Sequence, residues 1–148
     1  MIARTQKMLL DTLGLMLQSG RHRDFYLKDL ERLIIPAIET GRLRVFYSDV
    51  GTPEGMYTHM FLTPEAERGY LTGTRKIQPQ DWETEPEEGR LWVIDFIAPF
   101  GNAPKLVRLA QEELTDKYSG VCEDAWWRRS LKGGHPRRGP PKIREHSA

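Results

Sequence analysis

The sequence has 148 residues, of which 39% are hydrophobic and 29% charged, and its formal net charge is +1. These values are typical of one globular domain, and they favour neither nucleic acid nor a membrane surface as the main partner. The single cysteine, Cys122, excludes an internal disulfide and leaves too few thiols for a structural zinc site. We see neither a signal peptide nor an apolar run near the roughly 20 residues of a membrane span, so we expect a cytoplasmic protein without a bound metal.

Two helices are predicted at the start of the chain. Apolar residues recur at helical spacing in residues 9–17, and Gly20 follows them as a stop signal. A second apolar stripe extends from residue 27 to residue 38 and ends before Gly41. Pro36 lies inside this stripe, where it removes a backbone hydrogen bond, so we expect it to kink or divide the second helix.

From Arg42 the apolar period changes to two, which predicts a half-buried strand over residues 42–47 with Leu43, Val45 and Tyr47 on one face. A turn at residues 49–55 and a returning strand at 56–62 complete a hairpin. The hydroxyl and proline of Thr63 and Pro64 are typical of a helix start.

Residues 74–90 are polar, and we interpret them as a loop around Trp82. Residues 91–98 are the most apolar segment and suit a central strand covered on both faces. A helix capped by Asn102 and a weakly indicated strand near residues 121–127 follow. The element order predicts an α/β fold in which helices flank a mostly antiparallel sheet. We assign residues 1–131 to this domain and residues 132–148 to a basic, disordered tail.

Asp95 is the one physically unusual residue, because its carboxylate lies within the most apolar strand, where an unpaired charge is costly. Either Asp95 lies at an exposed edge or caps an amide, or it has a functional partner. The chain's four histidines are the natural candidates. His22, in a polar segment, is by itself typical of solvated surface, and His59 lies in a predicted strand. Composition and spacing alone therefore leave an aspartate–histidine pair as a hypothesis.

Residues 92–101 have the sequence WVIDFIAPFG, which closely resembles the hallmark segment of the toxin-activating lysine acyltransferases. Those enzymes activate RTX protoxins such as hemolysins by acylating internal lysines. The block of His22 and Arg23 followed by residues 27–38 is similar to the family as well, so the resemblance covers about residues 21–109. Leu33 departs from it, since family members carry asparagine there, and so does the segment 102–104, where a glycine-rich or acidic continuation is expected.

The resemblance implies a fold related to the GNAT acetyltransferases, no bound cofactor, and an acyl-acyl carrier protein as donor. It also implies a homodimer and a protein substrate that bears the target lysine. His22 corresponds to the family's catalytic histidine and Asp95 to its catalytic aspartate. His22 would then act as general base. Asp95 would either fix the histidine tautomer or contact the substrate ammonium, and the sequence leaves both roles open.

The thioester carbonyl needs oxyanion stabilisation, and the turn after the apolar strand is one source of it. Backbone amides at Ala98, Phe100, Gly101 and Asn102 are candidates for the oxyanion or donor site, although such a segment is equally typical of a plain strand-to-helix turn.

A long acyl chain requires an apolar channel, for which Met60, Trp92 and Phe96 are candidates, although aromatic residues there are more often core. Two alternatives to the acyl carrier route are a small coenzyme A-dependent acetyltransferase and a non-catalytic binding module on the same scaffold.

Overall fold

The computed structural model describes residues 2–122, 124–128 and 143–146. Five α-helices and five strands are described: α1 Ile2–Leu17, α2 Leu27–Asp29, α3 Ile35–Glu39, β1 Leu43–Tyr47, β2 Pro53–Leu62, α4 Pro64–Thr72, β3 Arg90–Ile97, α5 Ala103–Tyr118, β4 Ala125–Arg128 and β5 Ile143–His146. The strands form one sheet in the order β1-β2-β3-β4-β5. β1, β2 and β3 pair antiparallel, whereas β4 and β5 join as parallel strands.

Both faces of this sheet are covered, as the apolar sequence of its central strand predicts. The first face, which we call the α1 face, packs against α1, α3 and α4 through a core that includes Met16, Ile34, Ala66, Met60 and Trp92. The opposite face, the α5 face, packs against α5 through a core that includes Leu106, Leu114, Tyr57, Phe61 and Val93. The predicted single-domain α/β fold with a mostly antiparallel sheet is therefore confirmed, and it has the layout expected of a GNAT-like domain.

Pro36 divides the second helical segment, as the sequence predicts. The backbone between α2 and α3 widens into a π-helical turn, Leu30–Ile34, which ends two residues before the proline. Because Pro36 has no N–H, the carbonyl of Arg32, four residues earlier, lacks its usual helical donor. The indole Nε1 of Trp82 donates to that carbonyl instead, at 2.7 Å. Trp82 is fully buried, so the predicted loop at 74–90 is tied into the core.

Two local expectations need correction. The alternation predicted for β1 fails at its end, where Phe46 is buried and Tyr47 is exposed, because the α5 face is covered as well and the register shifts between the two residues. Asn102 does occupy the position before α5, but its side chain makes no capping hydrogen bond. Thr63, by contrast, does cap α4, since its Oγ1 accepts from the Ala66 amide at 3.2 Å.

The predicted domain end at residue 131 lies outside the described residues. So does most of the predicted tail, including His135. Within that tail the backbone of Ile143–His146 is described as β5, which pairs with β4. None of the described helices has the length and apolar character that crossing a membrane requires.

Candidate active site

His22 is buried, with 5% of its surface exposed, so the expectation that it belongs to the solvated surface is wrong. The chain leaves α1 and turns through a single 3-10 turn, His22–Asp24, held by the Phe25 amide, which donates to the His22 carbonyl at 3.2 Å. This turn carries the imidazole inward, and its ring packs against that of Phe25 with 5.1 Å between centroids. A charged neighbourhood in sequence does not reveal such burial, because the turn exposes Arg21 and Arg23 while it hides the residue between them.

Asp95 lies on β3 in the middle of the sheet and is also 5% exposed, which excludes the exposed-edge interpretation. Its Oδ1 lies 3.0 Å from Nε2 of His22. The structure therefore brings together the two residues that the sequence suggested as a pair. The other carboxylate oxygen, Oδ2, is buried and has no hydrogen-bond partner among the described residues.

With Asp95 ionised and the His22 ring neutral, the two hydrogen bonds of the ring select one tautomer. An ionised carboxylate can only accept, so Nε2 carries the hydrogen that is shared with Asp95. Nδ1 of the neutral ring is then an acceptor, and the Ser19 hydroxyl lies 2.8 Å from it, where it donates. Ser19, His22 and Asp95 thus form one hydrogen-bonded chain. In the serine-hydrolase template the two ring nitrogens have the opposite partners.

Ser19 is the site residue that the sequence analysis missed. It lies three residues before His22, just after α1 ends. The Ser19 carbonyl accepts from the Arg23 amide at 3.0 Å, which folds the intervening residues into a turn. Its side chain is half-buried, in contrast to the buried pair beyond it. Of the three hydrogen-bonded residues, Ser19 is therefore the one that solvent reaches. The signal in the sequence is the spacing Ser19-x-x-His22, since residues three apart are neighbours on a helical turn.

The four residues proposed for the oxyanion or donor site follow β3 directly. Ala98 is half-buried, Phe100 is exposed, and Gly101 turns the chain with φ at 81°, a value that favours glycine. Asn102 precedes the first turn of α5, and its Oδ1 is buried without a partner among the described residues. The segment therefore connects the strand of Asp95 to the N-terminus of a 16-residue helix.

The three residues proposed for the acyl channel do not share one face of the sheet. Met60 and Trp92 are cross-strand partners, both fully buried on the α1 face. Phe96 lies on the α5 face, where its ring stacks on that of Tyr57 at 6.3 Å. A β-sheet separates the two sides, so one channel cannot be lined by all three.

The other candidate groups lie apart from this pair. His59 is buried on the α5 face, where its Nε2 lies 2.8 Å from the hydroxyl of Tyr118. Burial, with the positive charges of Lys117 and Arg42, lowers the pKa of His59 to about 3. Cys122 is half-buried, and burial raises the pKa of its thiol. No cluster of three or more metal-ligating side chains occurs within the described ranges.

The domain is a mostly antiparallel sheet with helices on both faces, which is the layout expected of a GNAT-like fold. The chain belongs to the RTX toxin acyltransferase family (HlyC), whose family model matches residues 2–125. That match contains the Ser19–His22–Asp95 chain and every strand of the sheet up to the start of β4.

Several curated proteins are similar to the chain. The RTX-II toxin-activating lysine-acyltransferase ApxIIC of Actinobacillus pleuropneumoniae is 33% identical over 61% of this chain and 54% of its own length. The protein-lysine myristoyltransferase RtxC of Kingella kingae is 30% identical over 66% of this chain and 56% of its own. The lysine-acyltransferase RtxC of Vibrio cholerae is 26% identical over 72% and 67%, respectively. The chain thus spans little more than half the length of the first two relatives.

Proposed function

We propose that this chain transfers a fatty acyl group from an acyl-acyl carrier protein to a lysine side chain of a protein substrate. The observation that carries the proposal is the buried hydrogen bond between His22 and Asp95 in a member of the RTX toxin acyltransferase family. The names of the relatives support lysine as the acceptor, and the myristoyltransferase among them supports a long acyl chain.

A lysine amine needs a base before it can attack a thioester. With an ordinary pKa near 10.4, only about one lysine amine in a few thousand is neutral at pH 7. Forming the neutral amine at this pH therefore costs about 4–5 kcal/mol of free energy. A histidine takes up and releases protons readily near neutral pH and is the commonest general base. Of His22 and His59, the two histidines whose side chains the structure describes, only His22 is hydrogen-bonded to a carboxylate, which supports it in this role.

The base atom is Nδ1, because Nε2 is occupied by Asp95. Ser19 covers Nδ1 and is half-buried, so the substrate amine approaches from the Ser19 side. The reacting amine has already lost its ammonium proton to solvent. As its nitrogen bonds to the thioester carbon, a second proton passes from nitrogen to Ser19 Oγ and the hydroxyl proton of Ser19 passes to Nδ1. The carbon–sulfur bond then breaks, and the imidazolium returns the proton to the leaving sulfur of the carrier.

Asp95 acts on His22 and not on the substrate amine. One of its oxygens is bonded to Nε2 and the other is buried, which favours a role on the histidine. A carboxylate in this position holds the imidazole in one tautomer and stabilises the imidazolium that forms during transfer. Of the two roles that the sequence leaves open for Asp95, these contacts support orientation of His22.

The negative charge on the thioester oxygen is stabilised by backbone amides of the segment from Ala98 to Asn102. In support, this segment follows the strand of Asp95 and leads into α5, whose N-terminal N–H groups favour negative charge. Because the Asn102 side chain does not cap α5, it leaves those amides free of that acceptor. Met60 and Trp92 remain candidates for lining the acyl channel, since they lie on the same face of the sheet as His22.

We also propose that the partner is an acidic acyl carrier protein and that the working form is a homodimer. The proposed compartment is the cytoplasm, where acyl carrier proteins receive their acyl chains. Exposed basic residues beside the site, Arg21, Arg23 and Lys28, suit an acidic carrier. Exposed apolar side chains at Leu10, Leu17 and Leu27 suit a protein contact.

The test is mass spectrometry of an RTX protoxin after incubation with the purified chain. Separate arms contain a myristoylated acyl carrier protein or acetyl coenzyme A, and each is repeated with Asp95→Asn. A mass increase of one myristoyl group on lysine, present in the carrier arm and lost in the variant, is the expected result. Transfer only in the acetyl coenzyme A arm would indicate a small acetyltransferase. The absence of transfer in both arms would indicate a non-catalytic module.

A further inference from the structure

The pairing of β2 with β3 contains one extra residue at Asp95. Tyr57 pairs with Phe96, and the next paired residues along the two strands are His59 and Val93. One residue of β2, Thr58, therefore lies opposite two residues of β3, Ile94 and Asp95. Such a two-against-one arrangement is a β-bulge, which bends the strand and changes the direction of a side chain.

The bulge determines the face on which Asp95 lies. In a regular strand, residues two apart share a face, so Asp95 would lie with Val93 on the α5 face. Val93 and Phe96, three residues apart, instead share the α5 face, whereas Ile94 packs on the α1 face. The extra residue thus reverses the alternation, and the carboxylate of Asp95 meets His22 on the α1 side. Without the bulge the catalytic pair would be on opposite sides of the sheet.

The side chain of Thr58 bonds directly to this bulge. Its Oγ1 accepts from the backbone N–H of Asp95 at 3.0 Å, and Thr58 is 0% exposed. The extra residue of a bulge lies outside the regular ladder of backbone bonds, so a side-chain acceptor at this amide fixes the local geometry. Asp95 is thereby held at two points, at its amide by Thr58 and at its carboxylate by His22.

We propose that Thr58 is a positioning residue, whose hydroxyl holds the β3 bulge that turns Asp95 toward His22. The catalytic meaning of this inference rests on the proposed function, but the geometric part does not. Loss of the hydroxyl leaves the Asp95 amide without its acceptor, and the bulge relaxes to satisfy it. The carboxylate then moves relative to Nε2, and the His22 tautomer loses its constraint.

The experiment compares Thr58→Val, which removes the hydroxyl at constant volume, with Thr58→Ser, which keeps it. Thr12→Val is the matched control, since Thr12 is also 0% exposed but its Oγ1 has no hydrogen-bond partner among the described residues. The first readout needs no substrate: ring ¹⁵N shifts of His22 in the full chain report which nitrogen carries the hydrogen, with assignment from His22→Gln. The second readout is the steady-state acylation rate.

In Thr58→Val the His22 ring should no longer prefer to carry its hydrogen on Nε2. The kcat of this variant should fall about 10- to 100-fold, with little change in KM. Thr58→Ser and Thr12→Val should resemble the wild type in both. Wild-type ¹⁵N shifts in Thr58→Val would overturn the proposal, and so would a changed tautomer at full kcat. If the wild type transfers no acyl group, the proposed function fails. The His22 ¹⁵N shifts of the wild type and of Thr58→Val still decide whether Thr58 positions Asp95. Should Thr58→Val not fold, Thr58→Ala against Thr58→Ser makes the same comparison.

Discussion

Nε2 of His22 lies 3.0 Å from Oδ1 of Asp95, although the two residues are 73 positions apart in the chain. One residue follows the first helix and the other lies in the central strand, so the contact joins two layers of the domain. Because both side chains are buried, removal of either one leaves a polar group without its partner. The pair therefore contributes to stability as well as to the proposed chemistry.

Asp95→Asn should lower the acylation rate by about 10²–10⁴, because an amide no longer enforces the histidine tautomer. His22→Gln should cost a similar factor. The double variant should be little worse than either single one, since the two residues act as a unit. Initial rates of all three variants, with melting temperatures, test this. Losses that multiply in the double variant would mean that the residues act independently.

His22→Ala should also destabilise the fold, by about 1–3 kcal/mol, because it removes a buried ring and its hydrogen bond to Asp95. The position of His22 in a charged loop predicts instead a nearly unchanged stability. Urea unfolding of His22→Ala and of the neighbouring Arg23→Ala decides between these, since Arg23 is exposed. Equal midpoints for the two variants would contradict the buried position of His22.

Ser19→Ala should reduce the acylation rate by about tenfold and leave the melting temperature nearly unchanged. The half-buried hydroxyl transfers the proton to Nδ1 in the proposed mechanism, but a water molecule can partly replace it. Ser119→Ala is the matched control, because Ser119 is exposed at the end of α5. Identical rates for the two variants would exclude Ser19 from the proton path.

His59 should make the domain less stable in acid. Its pKa falls from the ordinary 6.5 to about 3 in the folded state, chiefly through burial. Between these values the unfolded chain binds a proton that the native state does not, so stability decreases as the pH falls through this window. Through His59 the free energy of unfolding changes by at most about 1.4 kcal/mol per pH unit.

The measurement is urea unfolding of the wild type and of His59→Gln at several pH values between 7 and 4. The variant should show a shallower loss of stability, by up to the slope of one proton. Parallel curves would indicate that His59 is protonated equally in both states. Because other groups titrate in the same range, the difference between the two proteins is the quantity to compare.

Gly55→Ala should destabilise the domain by about 1–3 kcal/mol. A Cβ at this position would overlap the Leu106 side chain of α5 and lie 2.7 Å from the carbonyl oxygen of Ile97. Gly14→Ala is the matched control, since a Cβ on this α1 residue would meet no described atom within 4 Å apart from the adjacent helix backbone. That change should stabilise by about 0.5–1 kcal/mol through helix propensity. Melting curves in which both variants shift alike would contradict the close contact at Gly55.

Much of this protein follows from local sequence patterns. Helical and strand periods predict the main elements, because the burial of one face imposes a period on the residues that form it. Pro36 predicts the division of the second helix for a purely local reason, the missing N–H. Asp95 is conspicuous because a carboxylate within an apolar strand requires a partner, and resemblance to a known family suggests that the partner is His22.

Tertiary structure alone decides the geometry of the site. Whether His22 is buried depends on how one turn packs beneath the sheet, and its charged neighbours give the opposite impression. The side of the sheet that Asp95 faces depends on a single extra residue in its pairing with β2. Strand alternation predicts the wrong side, because a bulge is a property of two strands together. A sequence pattern describes one strand at a time, so it cannot contain the register that places the carboxylate against the imidazole.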